Sequence, residues 1–228
     1  MIRLTPILLA LLYALIMYRF SVWRTHRELD ARSTELADPK LKKLTDRMAA
    51  ALNLSRIKVF IHEVDPVNGL AAPDGRIFIT RGFYRKYQNG EVTAEELSSV
   101  IAHELGHVAL GHARKRMIDF SGQNALRTAL GLFLSRLVPG IGILIANGIT
   151  SLLAAKLSRN DEYEADEYAA ALLCKAGIGV GPQISLFRKL DELTRARSGA
   201  VPAWLMSHPK TDQRVAALEK LEARWSEG

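Results

Sequence analysis

The residues with the clearest chemical potential in this 228-residue chain lie in Val100-Ile101-Ala102-His103-Glu104-Leu105-Gly106-His107-Val108. They spell H-E-x-x-H inside an apolar stretch. Positions four apart on a helix stack on one face, so His103 and His107 can turn two imidazoles towards one ion. Glu104 lies beside them, near such an ion but not obliged to bind it. Two nitrogen ligands, a position open to water and a carboxylate to take the water's proton are what a zinc hydrolase requires. At this chain's His and Glu content, the pattern arises by accident at a rate of about one per cent.

Such a site needs a third ligand from a separate element. Ser158-Arg159-Asn160-Asp161-Glu162-Tyr163-Glu164-Ala165-Asp166 opens a further helix and offers Asp161, Glu162, Glu164 and Asp166. Glu162 and Asp166 share a face. One can bind metal while the other accepts the outer N–H of a ligand histidine and sets its tautomer. Acidic helix starts are common because the macrodipole favours them. That accounts for acidic residues in general, not for a pair on one face. Later, Ser207-His208-Pro209 closes a loop and Arg214 follows on the next helix. A histidine before proline is ordinarily a loop residue. A helix face could carry Arg214 into the cleft, where a cation would stabilise an oxyanion.

The elements that must position these groups are partly legible. Thr93-Ala94-Glu95-Glu96 is a capping box that starts the H-E-x-x-H helix, which the apolar spacing extends to Arg116. Asp30–Lys40 is polar and reads as a linker, and Pro39 suits the start of a helix through Leu41, Leu44, Met48 and Leu52. Ile57–Val64 alternates and is β-branched, and Arg76–Thr80 is a second short strand. Pro73-Asp74-Gly75 is a turn signal between them, so the two strands are expected to pair as an antiparallel hairpin. Helices are expected near Gln183–Arg197 and Thr211–Arg224, joined by a loop with Pro202 and Trp204.

Leu4–Tyr18 carries no charge, and Arg19, Phe20 and Trp23 follow as interfacial residues. This predicts a single membrane anchor over residues 1–24, in preference to a cleaved signal peptide, followed by a linker over 25–38. Basic residues lie mostly after the apolar core, which puts the following domain on the cytoplasmic side in preference to the periplasmic one. Leu137–Ala155 is a second uncharged stretch of 19 residues. A single crossing there would separate the metal ligands, so it is read as helices packed over the H-E-x-x-H helix and open to lipid contact. The net charge of +7 suits anionic lipid. With aromatics at 7% and no Lys/Arg stripe interleaved with them, nucleic acid is not expected as a partner. Cys174 is the only cysteine, which excludes an intrachain disulfide. The sequence specifies no oligomeric state.

H-E-x-x-H, then S-R-x-x-E-x-x-A-D after an apolar stretch, then S-H-P-x-x-x-x-R, resembles the membrane-associated zinc metalloendopeptidases of the HtpX and CaaX-prenyl-protease type, a family that includes the BepA-like and mitochondrial Oma-type quality-control proteases. The resemblance covers about Pro39 to Arg224. It implies an α+β zincin-like domain over residues 39–228, mostly helical with a small antiparallel sheet. It implies one Zn2+ per chain on His103, His107 and Glu162, with Glu104 as base and Asp166 behind the ligands. His208 and Arg214 would border the cleft as catalytic groups. Asn68–Pro73 and Arg76–Thr80 would form the substrate-side edge, making Asn68, Ala71, Ala72, Pro73, Ile77 and Ile79 contacts for a polypeptide bound as an extended strand. The multi-span bundles of HtpX and the prenyl protease are missing, so the shape is nearer the compact quality-control members. The alternative is a latent or chaperone-like zinc-binding module, with His208 blocking the open position.

Overall fold

A computed structural model describes residues 5–72, 74–112, 130–131, 133–138, 140–196, 208 and 211–226. The chain forms two compact units, one of residues 1–31 and 112–158, the other of residues 32–111 and 159–228. In the first unit, α1 (Thr5–Ala31) is a 27-residue helix. Residues 133–137 are helical, and the first half of α5 (Gly142–Lys175) follows them. Among the described residues, no helix is long and apolar enough to cross a membrane.

The second unit carries the sheet and the remaining helices. In chain order these are β1 (Ser33–Glu35), α2 (Pro39–Ala51), β2 (Val59–His62), β3 (Gly69–Ala71), β4 (Ile77–Thr80), α3 (Arg81–Gln88), α4 (Ala94–Ala109), the second half of α5, α6 (Gly181–Ala196) and α7 (Thr211–Ser226). The architecture is mostly helical with one four-stranded sheet, ordered β1-β2-β4-β3. Asp38 starts α2 by accepting from the Lys40 and Leu41 amides, with Pro39 at the first helical position. The core joins Leu41, Leu44 and Met48 of α2 to Ile61, Ile77 and Ile79 of the sheet and to Leu97 and Ile101 of α4.

Three expectations are corrected. The sheet is mixed, not antiparallel, because β2 and β4 run parallel with Val59 beside Ile77 and His62 beside Thr80. The connection between them is not a simple turn. It contains β3, so the chain reverses twice and returns to β2 in the same direction, with β3 antiparallel to β4. Residues 33–35, read as polar linker, form β1 and pair with β2. Finally, α4 ends at Ala109, well before Arg116, because Gly111 takes a left-handed conformation at φ 71° that closes the helix.

Two devices fix α4 in place. At its start the Thr93 side chain accepts from the Glu96 amide, and Glu96 accepts from the Thr93 amide at 2.8 Å. The same carboxylate, only 3% exposed, accepts from Ser185 at 2.6 Å and pairs with Lys189 at 2.8 Å, tying α6 to the start of α4. Further along, Gly106 lets α4 touch α5. A Cβ there would lie 2.9 Å from the Ala165 carbonyl oxygen and 3.0 Å from its Cα. Ala165 stands between Glu162 and Asp166, so this close approach sets their distance from the α4 histidines.

Burial alone would raise the Glu96 carboxyl, but Lys189, Ser185 and the Thr93 amide outweigh it and hold its pKa below the ordinary 4.5. A folded-state pKa lowered in this way contributes stability above the unfolded value, and that stability is lost as pH falls through the folded value. Glu96→Gln is expected to cost about 1–3 kcal/mol at neutral pH. It should also flatten the acid-side loss of stability, as read by urea unfolding at several pH values. Gly106→Val should cost roughly 1–3 kcal/mol by overpacking. It should also lower the metal retained after dialysis, measured by elemental analysis beside the unfolding midpoint.

Candidate metal centre

Helix α4 presents His103, Glu104 and His107 at 1%, 2% and 3% exposure. The two imidazoles meet edge to face with their Nε2 atoms 3.1 Å apart. Glu162 comes in from α5, its Oε2 3.4 Å from His103 Nε2 and its Oε1 3.5 Å from His107 Nε2. His208 completes the group, with Nδ1 3.3 Å from His103 Nε2 and 2.5 Å from Glu162 Oε2. One donor atom from each of these four buried residues lies within 4.8 Å of the others. Asp161 and Glu164, the other acidic candidates, stand outside this cluster.

Behind the donors is a second layer of polar contacts. Asp166 Oδ1 lies 2.9 Å from His103 Nδ1, the nitrogen turned away from the cluster. Arg214 donates to both oxygens of Asp166, from Nε at 2.6 Å and from Nη2 at 2.7 Å. Its Nη1 donates to the His208 carbonyl at 3.3 Å, and its guanidinium lies over the Phe187 ring, 4.5 Å from the centroid. Arg214 is therefore 2% exposed and clasps Asp166, whereas the sequence reading carried it into the cleft as a cation for an oxyanion. Gln183, buried at the start of α6, donates from Nε2 to Asp166 at 3.4 Å. No sequence signal pointed to Gln183 or Phe187, because both meet the site through contacts between distant helices.

The electrostatics favour added positive charge. Burial lowers the His103 imidazole, but the Asp166 and Glu162 carboxylates outweigh it and raise it to about 9. Burial would raise Glu162, yet the neighbouring histidines hold it far below the usual carboxylate range. Asp166 is likewise held low against burial, chiefly by the Arg214 guanidinium. Burial keeps His208 below its ordinary value. Three imidazoles and one carboxylate, backed by a second carboxylate, form a donor set suited to a divalent ion of borderline softness. Glu104 supports the same fit. Its Oε1 is buried with no hydrogen-bond partner among the described residues, and His208 Nε2 lies 3.6 Å away.

The sheet reaches the same place through β3. Gly69 of β3 lies against α4, and a Cβ there would sit 2.8 Å from Val100 and 3.3 Å from Glu104 Oε1. The Thr80 amide donates to Asn68 O, and the Ala72 amide to Arg76 O. Residues 68, 70 and 72 thus face β4, and by alternation the main-chain groups of Ala71 face the outer edge. Ile77 and Ile79, expected at the substrate-side edge, instead lie on the interior strand β4 with 0% and 1% exposure. β4 is paired on both sides, so neither its backbone nor these side chains reach the edge. Ala72 is buried beside β3, and Pro73 lies outside the described residues.

Residues 35–222 match Peptidase family M48. Similar proteins include the metalloprotease LoiP of Escherichia coli (strain K12), 29% identical over 199 residues that cover 83% of this chain and 74% of the relative. The mitochondrial metalloendopeptidase OMA1 of Homo sapiens is 29% identical over 182 residues, covering 74% of this chain and 33% of the relative. The β-barrel assembly-enhancing protease of Yersinia pestis is 27% identical over 206 residues, covering 83% of this chain and 40% of the relative. The chain thus spans three quarters of the first relative and well under half of the other two. The match extends over most of the chain and encloses the His103–His107–Glu162 cluster, so this chain belongs to Peptidase family M48 and is a metalloendopeptidase.

Proposed function

We propose that the chain is a zinc endopeptidase that cuts unfolded or membrane-near polypeptides bound as an extended strand. The observation that carries this reading is the convergence of His103, His107 and Glu162 beside the buried Oε1 of Glu104, which has no hydrogen-bond partner among the described residues. His103, His107 and Glu162 would hold one zinc ion, which when bound would supply Lewis-acid chemistry that activates water and polarises a carbonyl near neutral pH. Glu104 accepts the proton of the attacking water at Oε1 and later delivers it to the departing amide nitrogen. Asp166 accepts the His103 Nδ1 proton, which leaves Nε2 free to act as a donor to metal. Arg214 keeps Asp166 ionised and in place, which makes it a positioning residue. His208 Nε2, on the Glu104 side, is the group placed to share charge on the substrate oxygen.

The substrate is read as an added strand on β3, paired to the outward main-chain groups of Ala71, with Asn68 and Ala72 at its two ends. The position of Gly69 against Glu104 supports this, because it sets a bound chain beside the base. α1 attaches the protein to a membrane. It has no charge up to Tyr18, and it exposes Leu12, Leu15, Ile16, Phe20 and Trp23. Arg24, Arg27 and Arg32 after this apolar part favour the cytoplasmic side for the peptidase domain. Protein quality control is the role that suits an enzyme selecting extended, exposed chain.

A second reading follows from His208. Its Nδ1 lies among the donor atoms, so it can serve as a fourth ligand and hold the enzyme latent. Glu104→Gln should keep its zinc and lose about 10²–10⁴-fold of its cleavage of an unfolded reporter. Unchanged cleavage at equal zinc would end this mechanism. His208→Ala separates the two roles. Cleavage falls in this variant if His208 shares the charge of the reacting oxygen, and rises if His208 holds the enzyme latent, with both proteins compared at matched zinc content.

A further inference from the structure

The first unit contains a hairpin that the peptidase chemistry does not use. Residues 133–138 lead into a tight reversal at Gly140, which has φ 91°, and α5 begins at Gly142. The reversal is held by main-chain bonds from Val138 to Leu134 O and from Gly142 to Val138 O. The two arms touch backbone to backbone. A Cβ on Gly142 would overlap the backbone of Leu134 and Ser135. Arms this close leave no room for large side chains between them, so the apolar ones project outward. Phe133, Leu137, Ile141, Ile143, Leu144 and Ile149 are between 48% and 74% exposed. Residues 137–155 carry no charge at all.

Charge identifies what covers this surface. The unit that holds the hairpin has ten Lys and Arg against three Asp and Glu, whereas the other unit has twenty-one of each. The whole net charge of +7 thus belongs to the unit with the exposed aliphatic tip. An aliphatic surface on a strongly cationic body matches an anionic bilayer, whose surface attracts Lys and Arg and whose interior accepts Leu and Ile. Protein interfaces draw instead on aromatic residues, and Phe133 is the only aromatic among the six. Depth follows from length. The uncharged part of α5, residues 142–155, spans about 21 Å as a helix, short of the roughly 30 Å hydrocarbon core. α5 then continues without a break to Glu162 and Asp166, which are buried within the peptidase unit.

We propose that the hairpin around residues 133–149 inserts into one leaflet of an anionic membrane, with Arg136 at the headgroup level, as a contact separate from α1. The test uses the full chain carrying Cys174→Ser, which removes the single cysteine. A polarity-sensitive maleimide dye is then placed at Leu144→Cys or, as a control on exposed α2, at Asp46→Cys. Vesicles contain equal parts phosphatidylglycerol and phosphatidylcholine, with or without acyl-chain nitroxide lipid.

A blue shift and nitroxide quenching at position 144, absent at position 46 and weaker on phosphatidylcholine alone, is the expected result. Ile143→Asp combined with Leu144→Asp should lower vesicle partitioning at least about tenfold while leaving the unfolding midpoint unchanged. If the protein sediments with vesicles but the dye at 144 stays silent, the hairpin is not in lipid and only the α1 attachment stands. No sedimentation at all overturns both contacts. A blue shift that appears without vesicles and grows with protein concentration assigns the tip to self-association and also overturns the proposal.

Discussion

The site depends on one buried carboxylate. Asp166 is 3% exposed, and a charge so removed from water is sustained only by close partners. The closest described ones are the Arg214 guanidinium, on both its oxygens, and His103 Nδ1, with Gln183 Nε2 beyond them at 3.4 Å. Through these contacts Asp166 joins α5, α7 and α4 at one point. It also settles which His103 nitrogen faces the donor cluster. Arg214 extends the link to the His208 carbonyl, so the loop histidine is positioned by the same guanidinium. The geometry that permits all this is the approach of α4 and α5 at Gly106, where any side chain would meet the Ala165 backbone. Small-residue packing and charge pairing are thus two parts of one joint, and neither holds the site without the other.

What could be read from the amino-acid order alone follows the range of each interaction. The pairing of His103 with His107 and the capping box of Thr93 with Glu96 are local to one helix, and both were legible. Glu162 and Asp166 were legible as a pair because they share a helix face, although only the fold separates the cluster member from the residue behind it. The sheet order was not legible, since the parallel pairing of β2 with β4 depends on where a short third strand folds back. β1 escaped notice because three polar residues carry no alternation. Arg214 was expected beside the cleft because a cation near a reaction centre suggests oxyanion binding. A buried aspartate nearby changes its task, and spacing does not reveal that aspartate's need for a partner.

The two units divide the physical work. The peptidase unit balances twenty-one basic against twenty-one acidic residues and buries its reactive groups, while the other unit keeps all the excess charge and most of the exposed large apolar side chains. α5 belongs to both, uncharged over residues 142–155 and carrying the acidic site residues further along. One continuous helix therefore carries two environments in series.

The outer edge of β3 offers main-chain groups, and a main chain is the same in every protein. If a substrate adds there as a strand, as proposed, recognition would discriminate by availability. A natively paired strand has already committed its amides and carbonyls, while a locally open segment has not. Susceptibility would then scale with the fraction of time a client spends open, that is, with its local unfolding free energy. On that proposal the enzyme would measure the conformational state of its clients, and two proteins of unrelated sequence but equal local stability would be cut at comparable rates.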